Sequence, residues 1–175
     1  MIRRLARYSN NPQSFHWKAA KRVIKYLKGT IDVSLYFCGE SSDELIGYCD
    51  SDYVGELKER RSTSGYIFLI HGGLIAWALR LQQIIALSLS EAEYMSILEA
   101  LKELLWLRLL MQSIGLRQTK PTELKVDNQA AIAMSKSFIK GLNILEFDFI
   151  VSDKNRKLRK STLHMCLQIS KQLTC

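Results

Sequence analysis

The chain has 175 residues, of which 47% are hydrophobic, so it can bury one core of ordinary size. Its net charge is +8, no apolar run approaches the roughly 20 residues that cross a bilayer, and the basic opening segment lacks the apolar stretch of a secretory signal. The four cysteines do not have the spacing of zinc ligands: Cys38, Cys49, Cys166 and Cys175. We therefore expect reduced thiols in an intracellular protein, cytoplasmic or nuclear, without membrane association.

The charge is unevenly distributed along the chain. Residues 1–40 hold eight Lys and Arg against two acids, and residues 136–175 hold eight against three. The stretch 41–135 holds nine against twelve. An acidic centre between basic ends fits a metal site flanked by surfaces that hold a polyanion, although ordinary solvated helix faces give the same pattern.

The first predicted element is a helix over residues 13–28, with Ser14 as N-cap and Gly29 just past its end. An apolar stripe of Trp17, Ala20, Ile24 and Leu27 marks one face. The other face is basic, and we expect it to contact the phosphates of a nucleic acid through Lys18, Lys21, Arg22 and Lys25.

Strands are predicted next. Alternating apolar residues indicate a strand at 31–37, and residues 39–43 read as a linker. An antiparallel meander is predicted beyond the linker, with a turn at Gly72-Gly73, from the runs 45–50, 64–71, 74–79 and 84–89.

A long helix is predicted over about 91–114, ending at Gly115, with an apolar stripe of Ile97, Leu101, Leu104 or Leu105, and Leu109. A short strand at 124–126 and a helix at 128–136 follow, and 147–151 suits helix or strand equally. The order β-β-β-α-β-α implies an α/β fold with a mixed sheet and flanking helices.

Three acidic motifs lie at the edges of different predicted elements: Gly-Tyr-Cys-Asp-Ser-Asp at 47–52, Leu-Ser-Glu-Ala-Glu-Tyr at 89–94 and Lys-Val-Asp-Asn-Gln at 125–129. Clustered carboxylates without imidazole or thiolate suit Mg²⁺ or Mn²⁺, and such ions mostly serve phosphoryl chemistry. The pattern therefore favours a metal-dependent nuclease. The structural alternative is that Asp50 and Asp127 merely end strands and Glu93 merely caps a helix.

The middle motif leaves a choice between two glutamates. Glu91 and Glu93 are about 200° apart on a helix, so only one of them can face a shared site. A capping box starting at Ser90 would occupy Glu93, and one starting at Ser88 would occupy Glu91. Spacing alone does not choose between them.

Several motifs in consistent order resemble the ribonuclease H region of copia-type retrotransposon Pol polyproteins. They lie at 47–55 (Gly-Tyr-Cys-Asp-Ser-Asp-Tyr-Val-Gly), 61–66 (Arg-Ser-Thr-Ser-Gly-Tyr), 86–94 (Ala-Leu-Ser-Leu-Ser-Glu-Ala-Glu-Tyr), 106–108 (Trp-Leu-Arg) and 126–132 (Val-Asp-Asn-Gln-Ala-Ala-Ile). Upstream, Asn11-Pro12, His16-Trp17 and residues 22–29 look like the segment that joins reverse transcriptase to that region. The resemblance covers roughly residues 8–136.

The resemblance implies a ribonuclease H-like fold that cleaves the RNA strand of an RNA–DNA hybrid with two divalent ions, Mg²⁺ or Mn²⁺. By position, it makes Asp50, Glu93 and Asp127 the catalytic metal ligands, with Asp52 and Glu91 as neighbours. It also implies that the hybrid is recognised through its backbone and 2′-hydroxyls. Nothing in the sequence points to a protein partner.

The chain departs from the family pattern toward its C-terminus. Gly-Leu-Asn-Ile-Leu stands at 141–145 in place of the family's Thr-Lys-His-Ile, and Leu167 stands in place of a further aspartate. We therefore expect an incomplete fold there and weak or lost cleavage. A catalytically dead remnant that at most binds nucleic acid is the alternative, and a protein-interaction module is a third interpretation.

Three regions are expected in chain order. Residues 1–40 form the connection segment, 44–140 the ribonuclease H-like domain, and 141–175 its degenerate C-terminal part.

Overall fold

The computed structural model describes residues 5–6, 8–37, 43–55, 60–141 and 149–153. The helices are α1 (Ser14–Gly29), α2 (Leu89–Ser113) and α3 (Gln129–Gly141), and the strands are β1 (Ile46–Asp52), β2 (Thr63–Ile70), β3 (Gly73–Leu81), β4 (Thr122–Val126) and β5 (Phe149–Asp153). The described residues up to Leu35 belong to one compact unit, and those from Tyr36 onward belong to another. Among the helices described, none has the length and apolar character needed to cross a membrane.

The N-cap of helix α1 lies one residue earlier than expected. Gln13, not Ser14, is the N-cap, because its backbone N–H donates to Nδ1 of His16 (2.9 Å) in a capping box. Thr30, not Gly29, closes the helix, and its hydroxyl donates to the carbonyl of Tyr26 (2.9 Å). No residue of α1 is buried in the part of the chain that the structure describes, and three residues of its apolar stripe are exposed: Trp17, Ile24 and Leu27.

The expected strand at 31–37 is wrong. Residues 31–32 form a turn, and 33–37 have no regular secondary structure. Alternation of apolar residues makes a strand only where a partner supplies backbone hydrogen bonds, and these side chains lie in solvent, with Ile31 80% and Tyr36 81% exposed.

Strands β1, β2 and β3 form the predicted antiparallel meander. The β2–β3 turn lies at His71-Gly72 instead of Gly72-Gly73, because the φ angles of 49° and 72° at these residues give the mirror-image turn that suits a tight hairpin. The run 84–89 is not a fourth strand of the meander. Residues 84–88 are irregular, with Ile84 and Leu87 exposed, and Leu89 begins α2.

The sheet continues on the other side of β1 with parallel strands, in the order β3-β2-β1-β4-β5. Strand β1 pairs in parallel with β4, and β4 pairs in parallel with β5. The ambiguous segment 147–151 therefore supplies a strand, since Phe149–Asp153 pairs along the whole of β4. This five-stranded mixed sheet with its helices has the expected ribonuclease H-like architecture.

Helix α2 packs against β1, β2 and α3, and the core forms beneath it. Ile97, Leu101 and Leu104 are buried as predicted, whereas Leu105 and Leu109 are 44% and 67% exposed, because the buried stripe passes through Leu107, Arg108 and Met111 instead. The helix ends at Gly115 as predicted, since its φ of 84° lets Leu116 N–H reach the carbonyl of Met111 (2.8 Å).

Several predictions fall on residues that the structure does not describe. They concern most of the linker at 39–43, most of the altered motif at 141–145, and the segment that contains Leu167.

Candidate metal centre

Three carboxylates from three elements meet at one end of the sheet. Asp50 lies in β1, Glu93 in the second turn of α2, and Asp127 directly after β4. One carboxylate oxygen from each lies within 4.8 Å of the other two. Because β1 and β4 run parallel, Asp50 and Asp127 lie at the same edge of the sheet.

The choice between the two glutamates is resolved by the cap of α2. Ser88 is the N-cap, and its side chain accepts a hydrogen bond from the N–H of Glu91 (3.1 Å). The Glu91 carboxylate in turn accepts from the N–H of Leu87 (2.6 Å). This reciprocal pattern uses Glu91 at the helix start, and Glu93 is 3% exposed and joins the cluster.

One backbone amide links two of the carboxylates. The N–H of Ser51 donates to Oδ1 of Asp50 (2.9 Å) and also approaches Oε1 of Glu93 (3.3 Å). The shared donor orients both carboxylates from a rigid strand.

The three side chains of the Asp-Asn-Gln motif make different contacts. Asp127 joins the cluster, and Asn128 caps α3 by accepting from the N–H of Ala131 (3.0 Å). Gln129 donates through Nε2 to the carboxylate of Asp153, at the end of β5. Asp127 therefore lies at the N-terminus of α3, where the helix dipole favours a negative charge.

The donor set fits a hard divalent cation. It consists of carboxylate oxygens, without imidazole or thiolate, which are the ligands that Mg²⁺ and Mn²⁺ prefer. Glu93 is buried, Asp50 is partly buried and Asp127 is exposed, so the centre is open on the Asp127 side.

Three other acidic residues lie near the cluster in sequence or in the sheet: Asp52, Glu91 and Asp153. Asp52 and Glu91 lie outside the cluster of described residues, as expected. Asp153, which sequence reasoning did not single out, pairs with Val126 in the sheet and so ends at the same edge as Asp127. The signal that would have found it is the assignment of 149–153 as a strand parallel to β4.

The predicted basic surface of α1 is solvent-exposed at all four positions: Lys18, Lys21, Arg22 and Lys25. The ammonium of Lys21 lies 5.8 Å from the centre of the Trp17 ring, within range of a cation–π interaction. Exposure is what phosphate contacts require, and whether these residues bind nucleic acid stays a prediction.

A groove lies elsewhere on the structure. It holds about 500 Å³ between β3 and α2, and its apolar lining includes Ile75, Trp77, Trp106 and Leu110. None of the three clustered carboxylates lines it. This groove is therefore separate from the carboxylate cluster.

A mixed sheet in this order, with carboxylates at the ends of adjacent parallel strands and on the facing helix, defines a ribonuclease H-like protein with a candidate metal centre. The chain is 41% identical over 133 residues to the retrovirus-related Pol polyprotein from transposon TNT 1-94 of Nicotiana tabacum, a match that covers 76% of the chain and 10% of the polyprotein. It is 33% identical over 130 residues to the Pol polyprotein from transposon RE2 of Arabidopsis thaliana, covering 74% of the chain and 9% of the polyprotein.

A shorter relative matches as well. The chain is 40% identical over 116 residues to secreted RxLR effector protein 161 of Plasmopara viticola, covering 66% of the chain and 78% of that protein. No family model matches the chain, and no solved structure matches it. The chain belongs to the family of copia-type, retrovirus-related Pol polyproteins, and it spans about a tenth of the length of the polyproteins it matches.

Proposed function

We propose that this chain is the ribonuclease H-like part of a retrotransposon polyprotein, together with the connection segment before it. In this proposal it cleaves the RNA strand of RNA–DNA hybrids weakly, at the centre formed by Asp50, Glu93 and Asp127. The observation that carries the proposal is the convergence of these three carboxylates within 4.8 Å. Membership in the Pol polyprotein family supports it, since such elements copy RNA into DNA through hybrids.

The chemistry is divided between the ions and the chain. Divalent ions, when bound, activate a water and stabilise the leaving oxygen of a phosphodiester. Asp50 and Glu93 both accept from the Ser51 amide, which orients them as ligands for those ions. Asp127 lies on the exposed side of the cluster, where a polyanionic backbone has access.

Cleavage is expected to be weak because the chain lacks one carboxylate of the family pattern. The family pattern supplies a further aspartate late in the chain, and this chain has Leu167 there. Fewer carboxylates bind a pair of divalent ions less tightly. The alternative function is therefore a catalytically inactive remnant that binds nucleic acid.

Helix α1 supports the binding part of either function. Its basic residues project into solvent, and α1 has no acidic residue in its first turn. We propose that this surface holds a nucleic acid backbone through phosphate neutralisation, without reading base sequence.

The test is cleavage of a labelled RNA–DNA hybrid by the purified chain in Mg²⁺ and, separately, in Mn²⁺. Asp50→Asn removes one charge from the cluster, and Asp52→Asn is the matched control, because Asp52 is in the same strand but outside the cluster. We expect weak cleavage in Mg²⁺ and more in Mn²⁺, which binds such sites more tightly. Asp50→Asn should abolish the activity and Asp52→Asn should retain it.

Each other outcome has a meaning. No cleavage with either ion would contradict the enzymatic proposal and favour the inactive remnant. Strong Mg²⁺-dependent cleavage that Asp50→Asn abolishes would show that three carboxylates are sufficient. Cleavage that persists in Asp50→Asn would mean that the activity does not come from this centre.

A further inference from the structure

A layer of buried polar side chains lies next to the carboxylate cluster. Ser64, Gln82 and Ser96 are 1%, 0% and 0% exposed. None of them belongs to the cluster. Polar groups of this kind are costly to bury unless they form hydrogen bonds, so their partners indicate their role.

Ser96 connects α2 to the strand that carries Asp50. Its hydroxyl donates to the backbone carbonyl of Asp50 (2.7 Å) and also approaches the carbonyl of Gly65 on β2 (3.3 Å). Ser96 follows Glu93 by three residues, so the two share a face of α2. The bond therefore joins the helix face that bears Glu93 to the residue that bears the neighbouring carboxylate.

Gln82 makes a second connection to the same part of α2. Its Nε2 donates to the carbonyl of Ala92 (2.9 Å) and to the hydroxyl of Ser64 on β2 (2.9 Å). Its backbone N–H donates to the carbonyl of Ser62 (2.9 Å). Ala92 directly precedes Glu93, so Gln82 fixes the helix backbone next to the ligand position.

A comparison within the chain shows that these bonds differ from ordinary burial of a serine. Ser135 in α3 is also 0% exposed, and its hydroxyl donates within its own helix, to the carbonyl of Ile132 (2.8 Å). Such local bonding is the common arrangement for a serine inside a helix. Ser96 instead directs its donor across to the sheet, at the residue where geometry matters for a metal centre.

We infer that Ser96 and Gln82 are positioning residues, which fix the separation of Glu93 and Asp50 and thereby set the affinity of the centre for a divalent cation. The inference rests on the proposed metal site. Metal ligands must be held to within about 0.5 Å of the productive geometry, which requires support from neighbouring groups. Ser96 provides that support by joining α2 to β1, and Gln82 provides it by joining α2 to β2.

The experiment measures Mn²⁺ affinity of the full chain by electron paramagnetic resonance, together with thermal stability. Ser96→Ala and Gln82→Met remove the donors, and Ser135→Ala is the matched control for loss of a buried hydroxyl. We expect the first two variants to bind Mn²⁺ about 10–100-fold more weakly, the usual effect of removing support for a metal ligand. Ser135→Ala should keep the affinity of the unmodified chain, even where its melting temperature falls as much as that of Ser96→Ala.

A second readout separates this inference from the proposed function. Unchanged Mn²⁺ affinity in Ser96→Ala and Gln82→Met would overturn the inference while leaving the metal centre intact. Failure of the unmodified chain to bind Mn²⁺ would overturn the metal centre, and amide hydrogen exchange without metal would then decide the positioning role. Faster exchange at residues 89–96 in Ser96→Ala but not in Ser135→Ala supports that role, and equal exchange in both variants overturns it.

Discussion

Gly47 opens the first acidic motif, and the structure gives a reason for a glycine there that can be tested. It lies in β1 opposite Phe68 of β2 and Leu124 of β4, both of which are 0% exposed. A Cβ at this position would lie 2.6 Å from Cε1 of Phe68 and 2.8 Å from Cδ1 of Leu124. Gly47→Ala therefore forces a methyl group into the closed core, three residues before Asp50.

The size of the effect follows from these distances. Ordinary carbon contacts are about 3.5–4.0 Å, so Phe68 and Leu124 must each move by roughly 1 Å. Overpacking of this kind costs about 1–3 kcal/mol, and two simultaneous core contacts place Gly47→Ala near the upper end. Replacing glycine also restricts the unfolded chain, which offsets about 0.4–1 kcal/mol. We expect a net loss of about 2 kcal/mol in the free energy of unfolding.

Urea denaturation followed by circular dichroism measures this loss, with Gly65→Ala as the matched control. Gly65 is a buried strand glycine in β2, but an added Cβ there would meet its nearest atom, Cδ1 of Leu79, at 3.3 Å. Both variants restrict the unfolded chain equally, so their difference isolates the overpacking. A Gly47→Ala variant as stable as Gly65→Ala would refute the reasoning.

Two further predictions concern pH and salt. Burial and the hydrogen bond to Glu103 raise the pKa of Tyr66 to about 12 from 10.0, so the folded state holds this proton more tightly and loses stability as pH rises from about 10 to about 12. Tyr66→Phe should flatten that decline, measured as the urea midpoint against pH, and an identical slope in both proteins would contradict the assignment. Binding of a labelled nucleic acid single strand, measured by fluorescence anisotropy, should weaken steeply as salt is added. It should be lost when the basic residues of α1 are changed to Gln: Lys18, Lys21, Arg22 and Lys25. Binding that does not depend on salt would count against this surface.

The sequence determined the elements whose pattern is local. The hairpin strands, the long helix ending at Gly115 and the helix after Asn128 were all predictable, because apolar periodicity and capping residues act over a few positions. The three acidic motifs also contain the carboxylates that meet in the structure, although the motifs alone did not choose between Glu91 and Glu93. Their assignment as catalytic residues stays a prediction.

Tertiary structure decided what depends on partners distant in sequence. The apolar alternation at 31–37 makes no strand in the described structure, whereas 149–153 is a strand because β4 lies beside it. The choice of Glu93 over Glu91 required the position of α2 on the sheet, because either glutamate satisfies a capping pattern. The roles of Gln82 and Ser96 could not be predicted from the sequence for the same reason, because they depend on the backbone carbonyls that these buried side chains contact.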